Sequence, residues 1–161
     1  MILLNANIKM EQLNLKIYLS GEIHSEWREN IKKLSINKNL SVSFFEPVTN
    51  HSSSDDCGVK ILGSEENRFW HDYKGASMNS MRIKTLIEKS DIVIIRFGAK
   101  YKQWNAAFDA GMAVSYGKSI ITFHDKELDH ALKEIDSSAC AVCRTEEQIV
   151  QTLQYILHGT L

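Results

Sequence analysis

The stretch "DIVIIRFG", residues 91–98, constrains the fold most. Four consecutive β-branched residues, Ile92 to Ile95, leave no polar face, so a strand here must be covered on both sides, as in a parallel sheet. "LKIYLSG" (15–21), "LSVSFFEP" (40–47), "SIITF" (119–123) and "SACAVC" (138–143) read as further strands. Longer amphipathic stretches separate them. In "SEWRENIKKLSINKN" (25–39), Trp27, Ile31 and Leu34 recur at helical spacing, and Ser25 is the expected N-cap. Helices are also expected in "KGASMNSMRIKTLIEKS" (74–90), with Met78, Met81 and Leu86 inward, in "YKQWNAAFDAGMAVSYG" (101–117), in "KELDHALKEI" (126–135) and from Glu146 to about Leu157. The polar stretch 49–66 reads as a loop with one helical turn, and a loop of that length in a compact domain is usually functional or disordered.

Alternation of strand and helix predicts an α/β three-layer sandwich with a five-stranded, mostly parallel sheet of the flavodoxin/Rossmann-like kind. A chain of 161 residues suits one domain, expected over residues 14–161 after a loose extension at 1–13. Met10 is an alternative start of translation. A net charge of −1 without a basic cluster argues against nucleic acid as a partner. The N-terminus lacks the features of a secretory signal, and no window approaches the roughly 20 apolar residues of a membrane helix. A cytoplasmic protein with no membrane partner is expected. Cys57, Cys140 and Cys143 form no disulfide framework. "CAVC" has zinc or redox spacing, but no further soft ligands are close in sequence, and a strand would turn the two thiols to opposite faces. They are expected to be packing residues, with no metal and no cofactor.

In such sheets ligands bind outside the carboxyl ends of the strands. That rule selects Ser20 to His24, Glu46 to Asp56 and Phe97 to Asn105. The first loop has neither dinucleotide glycine spacing nor a P-loop, but Gly21, Glu22 and His24 stand at a strand mouth. His24 either contacts substrate and moves protons or belongs to a surface loop with a helix cap. Tyr18 lies within the strand, where core packing with a bonded hydroxyl is the alternative to a site role. In "NRFWHDYKG" (67–75), three aromatics crowd His71 and Asp72. They form either a lid that stacks on a flat ligand or a cluster closing the sheet edge, and Asp72 is a candidate helix cap.

Asp109 is the single charged residue between Trp104 and Lys118. On a helix it stands one turn from Asn105. An unpaired buried carboxylate is costly, so Asp109 is paired, placed at a cleft, or close to the helix start. An exposed carboxylate on an Ala-rich helix is the plain alternative. Ala106, Ala110, Gly111 and Ala113 suggest close packing around the helix, and a carboxylate facing a cleft fits best.

"IYLSG", "SDIVIIRFG" and "FDAGMAVSYGKSII" resemble the nucleoside 2-deoxyribosyltransferase superfamily, with its first-strand tyrosine, central strand and "E-x-G-x-A-x-x-x-G-K" motif. "GEIHS-x-WR", "KYKQWN" and "W-N-x-x-x-D-A" are similar to the uncharacterised YtoQ family within it. The resemblance spans roughly residues 16 to 123. It implies that Asp109, in the place of the transferases' catalytic glutamate, attacks the anomeric carbon of a deoxyribosyl group, and that Tyr18 orients it. The glycosyl-enzyme would be resolved by a second base or by water. Glu22, His24, Trp104 and Asn105 would contact the substrate. Where the transferases carry a base-side aspartate, this chain has Arg82 or Ile83, and Arg82 would grip a phosphate or carboxylate. Glu22, His24 or Asp72 are the candidates to replace that acid. The implied partner is a nucleoside or nucleotide, bound without cofactor, and the implied assembly is a homo-oligomer. The alternative is a non-catalytic binder of a nucleotide-like ligand using the same pocket.

Overall fold

The computed structural model describes residues 13–100 and 102–161. All of the expected N-terminal extension except Leu13 lies outside the described residues, as does Tyr101 of "KYKQWN". The described residues form a five-stranded sheet of β1 (Leu15–Gly21), β2 (Val42–Phe45), β3 (Ile92–Phe97), β4 (Ser119–His124) and β5 (Ala141–Cys143), in the order β2-β1-β3-β4-β5. Every neighbouring pair is parallel. Helices α1 (Trp27–Asn37), α2 (His51–Ser54), α3 (Cys57–Leu62), α4 (Arg68–Glu88), α5 (Trp104–Ser115), α6 (Asp129–Asp136) and α7 (Glu146–His158) complete the three layers.

The two-residue alternation of a strand sorts side chains between two cores. Ile17, Leu19, Ile92, Ile94 and Phe123 pack on one side with Trp27 and Ile31 of α1 and Ile149, Val150 and Leu153 of α7. Tyr18, Val93, Ile95, Phe97 and Ile120 pack on the other with Ile87 of α4 and Ala106, Ala110 and Ala113 of α5. Because β2 and β3 flank β1 on opposite sides, the winding reverses after β2. That reversal opens a crevice between the carboxyl ends of β1 and β3.

Several local expectations are corrected. Ser25 does not cap α1: Glu26 takes that place without a side-chain bond, and the Ser25 hydroxyl donates to Glu22 Oε2 instead. Residues 49–66 hold α2 and α3 rather than a single turn. Both are too short to show an apolar period; α3 buries only Gly58. Helix α4 begins at Arg68, six residues before the expected start at 74, so Asp72 lies inside it and Asn67 accepts the capping bond from Phe69 N–H. Its first turns were hidden because Phe69, Trp70 and Tyr73 point outward and Gly75 resembles a break. Met81 is exposed, and Ile87 is the buried anchor of that helix. Gly111 is exposed with open space beside it, so it is not part of the close packing that Ala106, Ala110 and Ala113 make. The last strand is confined to 141–143. Ser138 and Ala139 N–H bond back to the end of α6, so the chain is still turning there. Cys143 ends the strand and is buried, whereas Cys140 precedes it and is exposed, so only Cys143 packs as expected of the pair.

Candidate active site

The first wall of the crevice is the turn between β1 and α1. Gly21 has φ of 102°, and a Cβ there would lie 2.1 Å from the carbonyl oxygen of Arg96 on β3, so only glycine fits. Glu22 N–H donates to that same carbonyl at 3.0 Å. The turn is then gripped from below by Arg28. This buried guanidinium donates to the carbonyls of Leu19 at 3.1 Å, Gly21 at 2.9 Å and Glu22 at 2.7 Å. Trp27 Nε1 adds a bond to the Glu22 carbonyl at 2.8 Å. The Glu22 carboxylate accepts from His24 N–H and from Ser25 Oγ, so it folds over its own turn.

The second wall is the loop between β3 and α5. Gln103 closes it, accepting from Gly98 N–H at 2.7 Å and donating to the Lys100 carbonyl at 2.8 Å. A Cβ on Gly98 would meet Glu22 Cγ at 2.5 Å, so the two walls touch at their base. The third wall is α2 and α3 fastened to α4. A Cβ on Gly58 would lie 2.2 Å from the Lys74 backbone, and one on Gly75 would lie 2.5 Å from the Asp55 carbonyl. Asn79 Nδ2 donates to the Ser54 carbonyl at 3.0 Å, and Lys74 Nζ bonds the Gly63 carbonyl at 2.9 Å and Glu65 at 2.6 Å. The long polar stretch is thus a fixed wall.

Between the walls lies a cleft of about 770 Å³, within the range of small-molecule sites. Asp109 on α5 lines it, yet the residue is only 6% exposed. Ser20 Oγ, fully buried at the end of β1, donates to Asp109 Oδ2 at 2.5 Å. Burial pushes the Asp109 carboxyl up to about 6, against the opposing pull of the Ser20 hydrogen bond. Gly21, Glu22, His24, Asp72, Arg82, Trp104 and Asn105, all expected at the site, line the same cleft. Arg82 and Asn105 are exposed, and Trp104 is 73% exposed at the start of α5.

Tyr18 does not line the cleft. It is fully buried, and its hydroxyl has no hydrogen-bond partner among the described residues. Burial, then the nearby Asp109 carboxylate, disfavours its ionisation. The hydroxyl that touches Asp109 belongs to Ser20, which carried no role in the sequence reading. A signal existed: Tyr18 and Ser20 share one face of β1, and Ser20 is the later, nearer the strand mouth. Arg28, Asn79 and Gln103 were also missed, because each acts on backbone across the fold. Phe69 and Tyr73 stack while Trp70 meets both rings edge-on, and all three remain exposed rather than sealing the sheet edge. Among the described residues no group of three or more His, Cys, Asp or Glu is arranged to hold a metal ion, and no helix is long and apolar enough to cross a membrane.

A parallel sheet of this order defines an α/β fold of the flavodoxin-like kind, with a buried carboxylate at its switch-point cleft. The comparisons narrow the class. Residues 18–157 match the family model described as "Nucleoside 2-deoxyribosyltransferase YtoQ". The uncharacterised protein YtoQ of Bacillus subtilis (strain 168) is 41% identical over 140 residues, covering 87% of this chain and 95% of that protein. The chain belongs to the YtoQ nucleoside 2-deoxyribosyltransferase family. Its fold is shared with a 2-deoxyribosyltransferase from Bacillus psychrosaccharolyticus, at a TM-score of 0.58 and 19% identity over 86% of this chain and 95% of the other. It is shared also with the CMP N-glycosidase BcmB of Clostridium botulinum, at a TM-score of 0.51 and 13% identity over 88% and 99%.

Proposed function

We propose that the cleft binds a nucleoside or nucleotide and that Asp109 cleaves or transfers its N-glycosidic bond. The observation that carries this reading is the buried Asp109 carboxylate, hydrogen-bonded through one oxygen and lining a cleft at the carboxyl end of the sheet. A carboxylate is retained inside an apolar helix face against a clear desolvation cost, which is the mark of a group kept for chemistry. The solved relatives, a deoxyribosyltransferase and an N-glycosidase by their names, point to the same bond.

In the proposed reaction the ionised Asp109 oxygen attacks the anomeric carbon. The C–N bond breaks and its electron pair leaves with the base, which takes up a proton at nitrogen. A glycosyl ester on Asp109 results. Water then gives the free sugar, or a second base gives a new nucleoside, and the carboxylate is restored. Asp55 and Asp72 line the cleft and are the carboxyl groups beside Glu22 that can supply the proton. Arg82, on the α4 wall, is the cation suited to a phosphate or carboxylate on the substrate.

The test is base release from a panel of ribo- and deoxyribonucleosides and their monophosphates, read by chromatography. Release from any member supports the reaction and names its substrate class. No release, combined with a rise in Tm on adding a nucleotide, would replace it with a non-catalytic binding role.

A further inference from the structure

We infer that Ser20 is a positioning residue for Asp109: its hydroxyl fixes one carboxylate oxygen and leaves the other to the cleft. The inference rests on the proposed role of Asp109 as nucleophile. Asp109 Oδ2 accepts the Ser20 bond at 2.5 Å, and among the described residues Oδ1 has no hydrogen-bond donor. Ser20 has no solvent exposure, so water does not compete for its hydroxyl. The carboxylate is therefore held through one oxygen by the sheet and presented through the other.

The hold is rigid because Ser20 cannot shift alone. Ser20 pairs in register with Ile95 of β3, and the next residue, Gly21, is pressed against the Arg96 carbonyl. The carbonyls on either side of Ser20, those of Leu19 and Gly21, are both tied to Arg28. Arg28, on the first turn of α1, thereby gains a function: Arg28 fixes the backbone, the backbone fixes Ser20, and Ser20 fixes Asp109. A short side chain with one oxygen bound has little rotational freedom left, which is the condition for a well-aligned attack.

A hydrogen bond to the ionised form also favours it, opposing the burial that pushes Asp109 up to about 6. Removing the donor must therefore raise the titration midpoint of Asp109. The test compares wild type, Ser20→Ala and Ser20→Cys. Cysteine keeps the volume but is a weak donor. The first readout needs no substrate: the Asp109 carboxyl is titrated by carbon-13 NMR. Both variants are expected to raise the midpoint by about one pH unit or more. On a substrate that wild type turns over, both are expected to lower kcat about tenfold or more, with KM within about twofold. The acidic limb of the rate profile should move up with the NMR midpoint. An unchanged midpoint in Ser20→Ala would overturn the inference, and so would wild-type kcat in Ser20→Cys, since that leaves only a packing role. Absence of turnover in wild type would instead sink the glycosidic reading, and the NMR titration still decides whether Ser20 holds Asp109.

Discussion

Ser20 and Asp109, 89 positions apart in the chain, meet through one hydrogen bond of 2.5 Å at the end of β1. That contact is where the sheet, helix α5 and the cleft converge. It also defines what the site costs the fold, because the carboxylate it holds is buried.

Replacing Asp109 by Asn is expected to stabilise the protein at neutral and alkaline pH. The folded Asp109 carboxyl titrates at about 6, above its ordinary 3.8. Between these values the folded state holds more protons than the unfolded state, so stability falls as pH rises, and the penalty is complete above about pH 6. Its size is roughly 2–3 kcal/mol. Asparagine keeps the shape and an oxygen for Ser20 without the charge. Urea unfolding at pH 8 should show Asp109→Asn more stable than wild type, and the gap should close near pH 4. A gap that does not vary with pH would show that Asp109 carries no burial penalty.

Arg28→Met is expected to destabilise the fold by about 3 kcal/mol, since it takes donors from three main-chain carbonyls at once. Arg28→Lys should recover little of this, because a single ammonium cannot span the three acceptors as the planar guanidinium does. Denaturant midpoints of the two variants provide the check. A full recovery by lysine would mean that charge, rather than the fork of donors, holds the turn.

Gly75→Ala should loosen one wall of the cleft without melting the sheet. The added methyl would sit 2.5 Å from the Asp55 carbonyl, and overpacking of this kind costs about 1–3 kcal/mol. Hydrogen exchange of the amides in α3 is expected to speed up about tenfold or more, while those of β1 and β3 keep their protection. Uniform loss of protection across the chain would show that α3 and the sheet unfold as one unit.

The sheet was legible because its strands carry their own signal. Ile92 to Ile95 require cover on both faces wherever they occur, and Trp27, Ile31 and Leu34 declare an inward helix face. Gly21, Glu22, His24, Trp104 and Asn105 were legible for a related reason, since the strand-end rule places the loops after β1 and β3 together whatever their contents, whereas that rule did not reach Asp72, Arg82 or Asp109. What stayed hidden depends on approach between distant segments. Gly58 and Gly75 reveal α3 only when the two backbones are brought together. The first turns of α4 turn their aromatics to solvent and so break the apolar period. Ser20 looks like an ordinary strand residue until α5 delivers Asp109 to it. Arg28 shows no role in the sequence, because its three acceptors, the carbonyls of Leu19, Gly21 and Glu22, come together only where β1 ends and turns toward α1.

The most direct measurement is base release by Asp109→Ala beside wild type, on the nucleosides and monophosphates, with circular dichroism confirming that both proteins are folded. Wild type is expected to release base from at least one member, and the folded variant to be slower by about 10³-fold or more. A folded Asp109→Ala protein that releases base at the wild-type rate would contradict the assignment of Asp109 as the nucleophile.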